Sequence, residues 1–150
     1  MSKSLDDTRS EFIEKIGVIY QQDGNPRIAG RLLGLLIWEG EAISFSGLAD
    51  QLQVSRGSIS TASRILEERR LIRRTAKAGE RQDYFQLAER PYGKMLEMVA
   101  AQLNQAEEEI INTLNDIPQS EAGLRKRVAA HSDIYKRMSG AIAGVIPDLD

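Results

Sequence analysis

Apolar residues recur at helical spacing through six stretches of the chain and at strand spacing through two. Phe12, Ile16, Ile19 and Tyr20 share one face of a first helix. The capping box Thr8-Arg9-Ser10-Glu11 is expected to open it, and Asp23-Gly24 to end it. Asn25-Pro26 predicts a second start, with Asn25 as N-cap and Pro26 in the first helical position. Ile28, Leu32, Leu35 and Leu36 give that helix a core face, and Trp38-Glu39-Gly40-Glu41 closes it. Gly30 and Gly34, four apart, cost helix propensity, which points to close approach of another helix.

Ala42 to Ser44 reads as a short extended link. Two short helices follow, Ser46 to Gln53 and Arg56 to Arg69, separated by Val54-Ser55. Leu71 to Thr75 and Asp83 to Leu87 alternate like strands, with Ala78-Gly79 in the loop between them. A long helix is predicted from Pro91 to about Asn115, with a seam of Leu96, Val99, Leu103, Ala106 and Ile110. A last one runs from about Glu121 to Ile146, striped by Leu124, Val128, His131, Tyr135, Met138 and Ile142.

The segment from Phe45 to Leu87 carries the most specific chemistry. Leu48, Leu52, Val54, Ile59 and Ala62 sit where two crossing helices must meet, with Ala49 as the small residue at the crossing. Ser55 suits the N-cap of the second helix. That helix then presents Arg56, Ser58, Ser60 and Thr61 outward, with Arg64 farther along. Arginine can bond two acceptors on a guanine edge, and short hydroxyls reach bases or phosphates. Gly57 leaves room for a close backbone. The hairpin behaves as a wing, with Arg73 and Arg74 on its first strand and Lys77 and Arg81 at or near its tip. A tip arginine suits a narrow minor groove. The expected DNA-binding set is therefore Ser55, Arg56, Ser58, Ser60, Thr61, Arg64, Arg73, Arg74, Lys77 and Arg81.

Net charge sharpens this only through its distribution. The chain is slightly acidic overall, at −2. Ser55 to Gln82 nevertheless holds eight basic residues against three acidic ones, Glu67, Glu68 and Glu80, between net acidic flanks. There is no cysteine and one histidine, so disulfides and thiolate metal sites are excluded and a histidine-rich zinc site is not expected. No apolar run is long enough to span a bilayer, and the N-terminus lacks a signal peptide's apolar region, which points to the cytoplasm. No catalytic order, phosphate loop or dinucleotide fingerprint occurs, so no enzyme and no cofactor are expected.

At these residues the chain resembles the MarR superfamily of winged-helix regulators, in its GbsR-like branch. Two motifs carry the likeness. One is Gly24-Asn25-Pro26-Arg27-Ile28-Ala29-Gly30-Arg31-Leu32-Leu33-Gly34. The other is Val54-Ser55-Arg56-Gly57-Ser58-Ile59-Ser60 with Lys77-Ala78-Gly79-Glu80-Arg81-Gln82-Asp83-Tyr84-Phe85. The resemblance covers about residues 12–87. It implies a mainly α fold with a small β-wing, a winged helix-turn-helix with N- and C-terminal dimerisation helices. It further implies a homodimer on a pseudo-palindromic operator, usually a repressor. A small-molecule effector is implied between the dimer helices and the DNA-binding part. The corresponding division is 1–22 for an N-terminal helix, 23–90 for the winged helix and 91–150 for a C-terminal dimerisation region.

Other residues carry a functional and a plain reading. Arg27 and Arg31, four apart, either touch phosphate or brace the wing, or form a solvated face. His131 reads better as a packing histidine than as a pH switch. Trp38, Tyr20, Tyr92 and Tyr135 read better as core than as a cage for a cation. Glu107-Glu108-Glu109 point in different directions on a helix and read as a solvated flank, not as metal ligands. The Leu96-to-Ile110 seam fits a dimer interface better than an intrachain core. Against DNA binding stands one alternative, a winged helix that binds protein instead.

Overall fold

The computed structural model describes residues 2–150. The chain forms two compact units, one ending at Pro91 and the other running Tyr92–Asp150.

The first unit holds four helices and a small sheet: α1 (Leu5–Gln22), α2 (Arg27–Glu39), β1 (Ile43–Ser44), α3 (Phe45–Leu52), α4 (Arg56–Glu68), β2 (Ile72–Ala76) and β3 (Asp83–Leu87). Helix α1 starts one turn earlier than the Thr8 box predicts. Ser4 is the N-cap, its hydroxyl accepting from the Asp7 amide, and Asp6 and Asp7 favour the positive end of the helix dipole. Thr8 lies inside the helix instead, its hydroxyl donating back to the Ser4 carbonyl. The face that α1 buries is also shifted. Ile13 and Gly17 are buried, whereas Ile19 is half exposed.

Helix α2 is central, with Ala29, Gly30 and everything from Leu32 to Leu36 buried. A helix apolar on most of its surface must be covered on most sides, and α2 packs against both α1 and α4. The α1 crossing is made by glycine, as the Gly30/Gly34 spacing predicts. A Cβ on Gly30 would lie 2.8 Å from Gly17 Cα, and one on Gly34 would lie 3.1 Å from Ile13 Cα. Gly17, unremarked in the sequence reading, completes the contact. A Cβ there would lie 2.8 Å from Arg31 Cγ. The N-cap of α2 is Pro26, one residue later than predicted, and no side chain caps it. The Asn25 side chain is used elsewhere, accepting from Arg69 at the end of α4.

Ile43 and Ser44 are not merely a link. They pair antiparallel with β3, so the sheet has three strands in the order β1-β3-β2. Along β2 and β3, Ile72 faces Leu87, Arg74 faces Phe85 and Ala76 faces Asp83. Phe85 is fully buried and anchors the sheet on a core of Leu32, Leu35, Leu36, Leu48, Ile59, Leu66 and Leu71.

The second unit contains α5 (Pro91–Asn115), α6 (Ala122–Val145) and the short 3-10 helix η1 (Ile146–Asp148). Small residues form its buried line, Gly93 and Ala100 on α5 and Ser132 and Ser139 on α6. Ser139 donates to Asn104 Oδ1 at 2.7 Å. Arg125 satisfies two carbonyls at the C-terminal end of α5, Leu114 O in its last turn at 2.8 Å and Ile117 O just beyond it at 2.6 Å. At the other end, Asp150 accepts from the Gly93 amide at 2.6 Å. The two predicted apolar stripes are only partly covered. All five seam residues of α5 are half-buried, and on α6 Leu124 and Met138 are exposed. His131 is exposed as well, edge-on to Tyr135, and is not a packing histidine in this unit.

Candidate nucleic-acid interface

The helix pair α3–α4 is built as its sequence demands. Leu48, Leu52, Ile59 and Ala62 are buried at the crossing, and Ala49 is the small residue there. The turn lacks the glycine such motifs often carry. Gln53 takes the left-handed conformation itself, with φ 55°. Its Nε2 donates to the Asp50 carbonyl at 2.6 Å, and the Val54 amide reaches back to Ala49 O. These bonds offset a backbone state that costs an L-residue about 1–2 kcal/mol.

Ser55 caps α4, its hydroxyl accepting from the Ser58 amide at 3.1 Å and bonded to the Ser58 hydroxyl at 3.0 Å. Both serines therefore organise the first turn of α4 before any partner arrives. Arg56, Ser60, Thr61 and Arg64 are exposed along this helix. Arg56 lies over the Phe45 ring at 4.6 Å, which holds its guanidinium beside the start of α3. Ser63, on the flank between this face and the core, is buried and donates to the Ser60 carbonyl.

The wing is equally specific. Gly79 supplies its turn with φ 81°. Lys77 lies over the Tyr84 ring at 4.2 Å, and the Tyr84 hydroxyl donates to Glu80. That bond, with Glu80's charge, raises the Tyr84 pKa above its ordinary value. Arg81 is exposed near the tip. Where the tip loop enters β3, Gln82 accepts from both the amide and the hydroxyl of Ser46, tying the hairpin to the first turn of α3. Arg73 Nε donates to the amide oxygen of its cross-strand partner Gln86 at 2.7 Å.

Arg74 differs from the other site residues. It bonds Glu67 at 3.0 Å and Asp83 at 3.1 Å, and lies over the Phe85 ring at 5.1 Å. Glu67 holds its pKa above the ordinary arginine value. As a phosphate ligand it is therefore already engaged, a relationship the sequence reading missed.

Arg27 and Arg31 are brought together on Glu14, at 3.0 and 2.8 Å, and Arg31 also donates to Leu52 O at the end of α3. They brace α1, α2 and α3. Arg9 does likewise, bonding Glu39 and Gln51 at 2.7 Å each. Three of the four aromatics of the cage reading have separate partners, Trp38 with Phe12, Tyr20 under Arg69 and Tyr135 with His131, and the fourth, Tyr92, is exposed. Among the described residues no acidic or histidine cluster could hold a metal ion, and no helix is long and apolar enough to cross a membrane.

The comparisons agree with this geometry. Residues 35–82 match the model of the MarR family. The HTH-type transcriptional regulator MmpR5 of Mycobacterium tuberculosis is 44% identical over 78 residues, which are 51% of this chain and 47% of that protein. The match thus spans about half of each. A crystal structure described as that of a transcriptional regulator superposes with a TM-score of 0.81 at 26% identity, covering 94% of this chain and 97% of the other.

Proposed function

We propose, from the match of residues 35–82 to the model of the MarR family, that the chain is a MarR-type, sequence-specific DNA-binding transcriptional regulator. It acts as a homodimeric repressor on a pseudo-palindromic operator, under a small-molecule effector. The observation that carries this reading is the free edge of α4. Arg56, Ser60, Thr61 and Arg64 stay exposed on a helix whose first turn is already capped, in the same unit as a wing with exposed Lys77 and Arg81. Such a helix can reach base edges without rearrangement, while the wing supplies phosphate or minor-groove contacts.

Two observations support the finer statements. The Gly24–Gly34 motif of the GbsR-like branch has concrete work in the α1–α2 crossing, through Gly30, Gly34, Arg27 and Arg31. For the dimer, the second unit leaves Leu124, Ile134, Met138 and Val145 exposed, and a second copy would remove that apolar surface from water.

The test is selection of fragments from the source genome by the purified protein, followed by sequencing. A shared motif with two half-sites about 34–36 Å apart supports the proposal. Retention of all fragments alike, or of none at low salt, sinks it and favours a winged helix that binds protein.

A further inference from the structure

The charges around Arg74 sum differently from what a basic strand suggests. Arg74 is positive, and the two carboxylates on its guanidinium, Glu67 and Asp83, are negative, so the triad carries −1. Phosphate gains little from approaching such a group. The geometry is also that of a connector. Nη2 reaches Glu67 on α4, while Nη1 reaches Asp83 at the start of β3. The arginine itself stands on β2, so one side chain joins the recognition helix to both strands of the wing. A guanidinium holds two acceptors on two nitrogens of fixed geometry, whereas a lysine would have to draw both carboxylates to one nitrogen. The guanidinium also continues the connection inward. The guanidinium lies over Phe85, and the Phe85 ring meets Phe45 at 6.1 Å, beneath Arg56.

We propose that Arg74 is a positioning residue that fixes the wing against α4, so that Lys77 and Arg81 reach the duplex in register with Arg56 and Arg64. This rests on the DNA-binding reading above. Glu67 and Asp83 are then part of the DNA-recognition apparatus although both are acidic. The consequence has a sign opposite to simple electrostatics. Removing a negative charge from a DNA-binding surface should tighten binding; here it should loosen it.

The experiment uses the full chain and a duplex obtained by the fragment selection, with affinity measured over a salt series. Glu67→Gln is expected to bind about tenfold or more weakly and to lose up to about two units of the log–log salt slope, as Lys77 and Arg81 disengage. Arg74→Lys, which keeps the charge, is expected to behave the same way. In a Lys77→Ala/Arg81→Ala background, Glu67→Gln should add nothing, a non-additivity that general loss of stability would not produce. Equal or tighter binding by Glu67→Gln, with Arg74→Lys like the parent, overturns the proposal and makes Arg74 a phosphate ligand.

Hydrogen exchange of the free protein separates this from failure of the DNA reading. Glu67→Gln should speed exchange of the β2 and β3 amides several-fold while α1 and α2 keep theirs. Unchanged wing exchange counts against the connector whether or not any duplex is bound. If the parent protein binds no duplex, the DNA reading falls by itself.

Discussion

Gly30 on α2 faces the backbone of Gly17 on α1 so closely that a single added carbon would lie 2.8 Å from Gly17 Cα. Backbone cannot move aside as the end of a side chain can. Gly30→Ala therefore sets a favourable helix-propensity change of about 1 kcal/mol against overpacking at the α1–α2 crossing. The clash should win, with a net loss of about 1–3 kcal/mol in urea or thermal unfolding of the full chain. An unchanged midpoint would mean that the two helices can slide apart.

Gly57 is the opposite case. A Cβ there meets only Ser55 Oγ, at an unstrained 3.8 Å. Gly57→Ala should raise stability, by up to about 1 kcal/mol. If the first turn of α4 lies against DNA, the same methyl should weaken operator binding. Thermal unfolding and a binding titration on one preparation read both effects. A gain in stability with no loss of binding would remove Gly57 from the interface.

These contrasts show what the sequence makes legible. Helical period, the Ser55 cap and the Gly30/Gly34 spacing identify α2 to α4, because each is a local signal. β1 reads only as an extended link because two residues cannot show alternation; it is a strand only through pairing with Phe85 and Tyr84. The start of α1 is misplaced because Ser4-to-Asp7 and Thr8-to-Glu11 are both box-like, and the choice depends on which hydroxyl meets an amide. Arg74 is misread as a free cation because Glu67 and Asp83 come to it through the α4–β2 turn and the hairpin register. On α6 the stripe is visible, but periodicity does not say what covers it, and Ser132 and Ser139 are what that helix buries.

Arg31 and Lys77 should separate bracing from phosphate contact. Arg31 is committed to Glu14 and to the Leu52 carbonyl, with its side chain 22% exposed. Arg31→Ala should cost about 1–2 kcal/mol of stability, while leaving the salt slope of DNA binding as it was. Lys77→Ala should do the reverse, sparing stability and lowering the slope by about 0.9. Chemical denaturation and a salt titration on both variants give a two-by-two comparison. A reduced slope in Arg31→Ala would place that arginine on DNA.

The exposed apolar residues of α6 give the dimer proposal its own test. Ile134 is 47% and Met138 39% exposed, four apart on one helix. In a monomer, Ile134→Glu and Met138→Glu would be close to neutral, as surface substitutions are. At a dimer interface each buries a carboxylate against apolar surface, so the double variant should dissociate under conditions where the parent stays dimeric. Sedimentation velocity across a dilution series reads the shift directly. The same variant should keep the secondary structure of the first unit by circular dichroism, yet bind a two-half-site duplex far more weakly than the parent while binding a single half-site about equally. A parent that is monomeric at high concentration, or a variant still fully dimeric, would exclude this face as the interface.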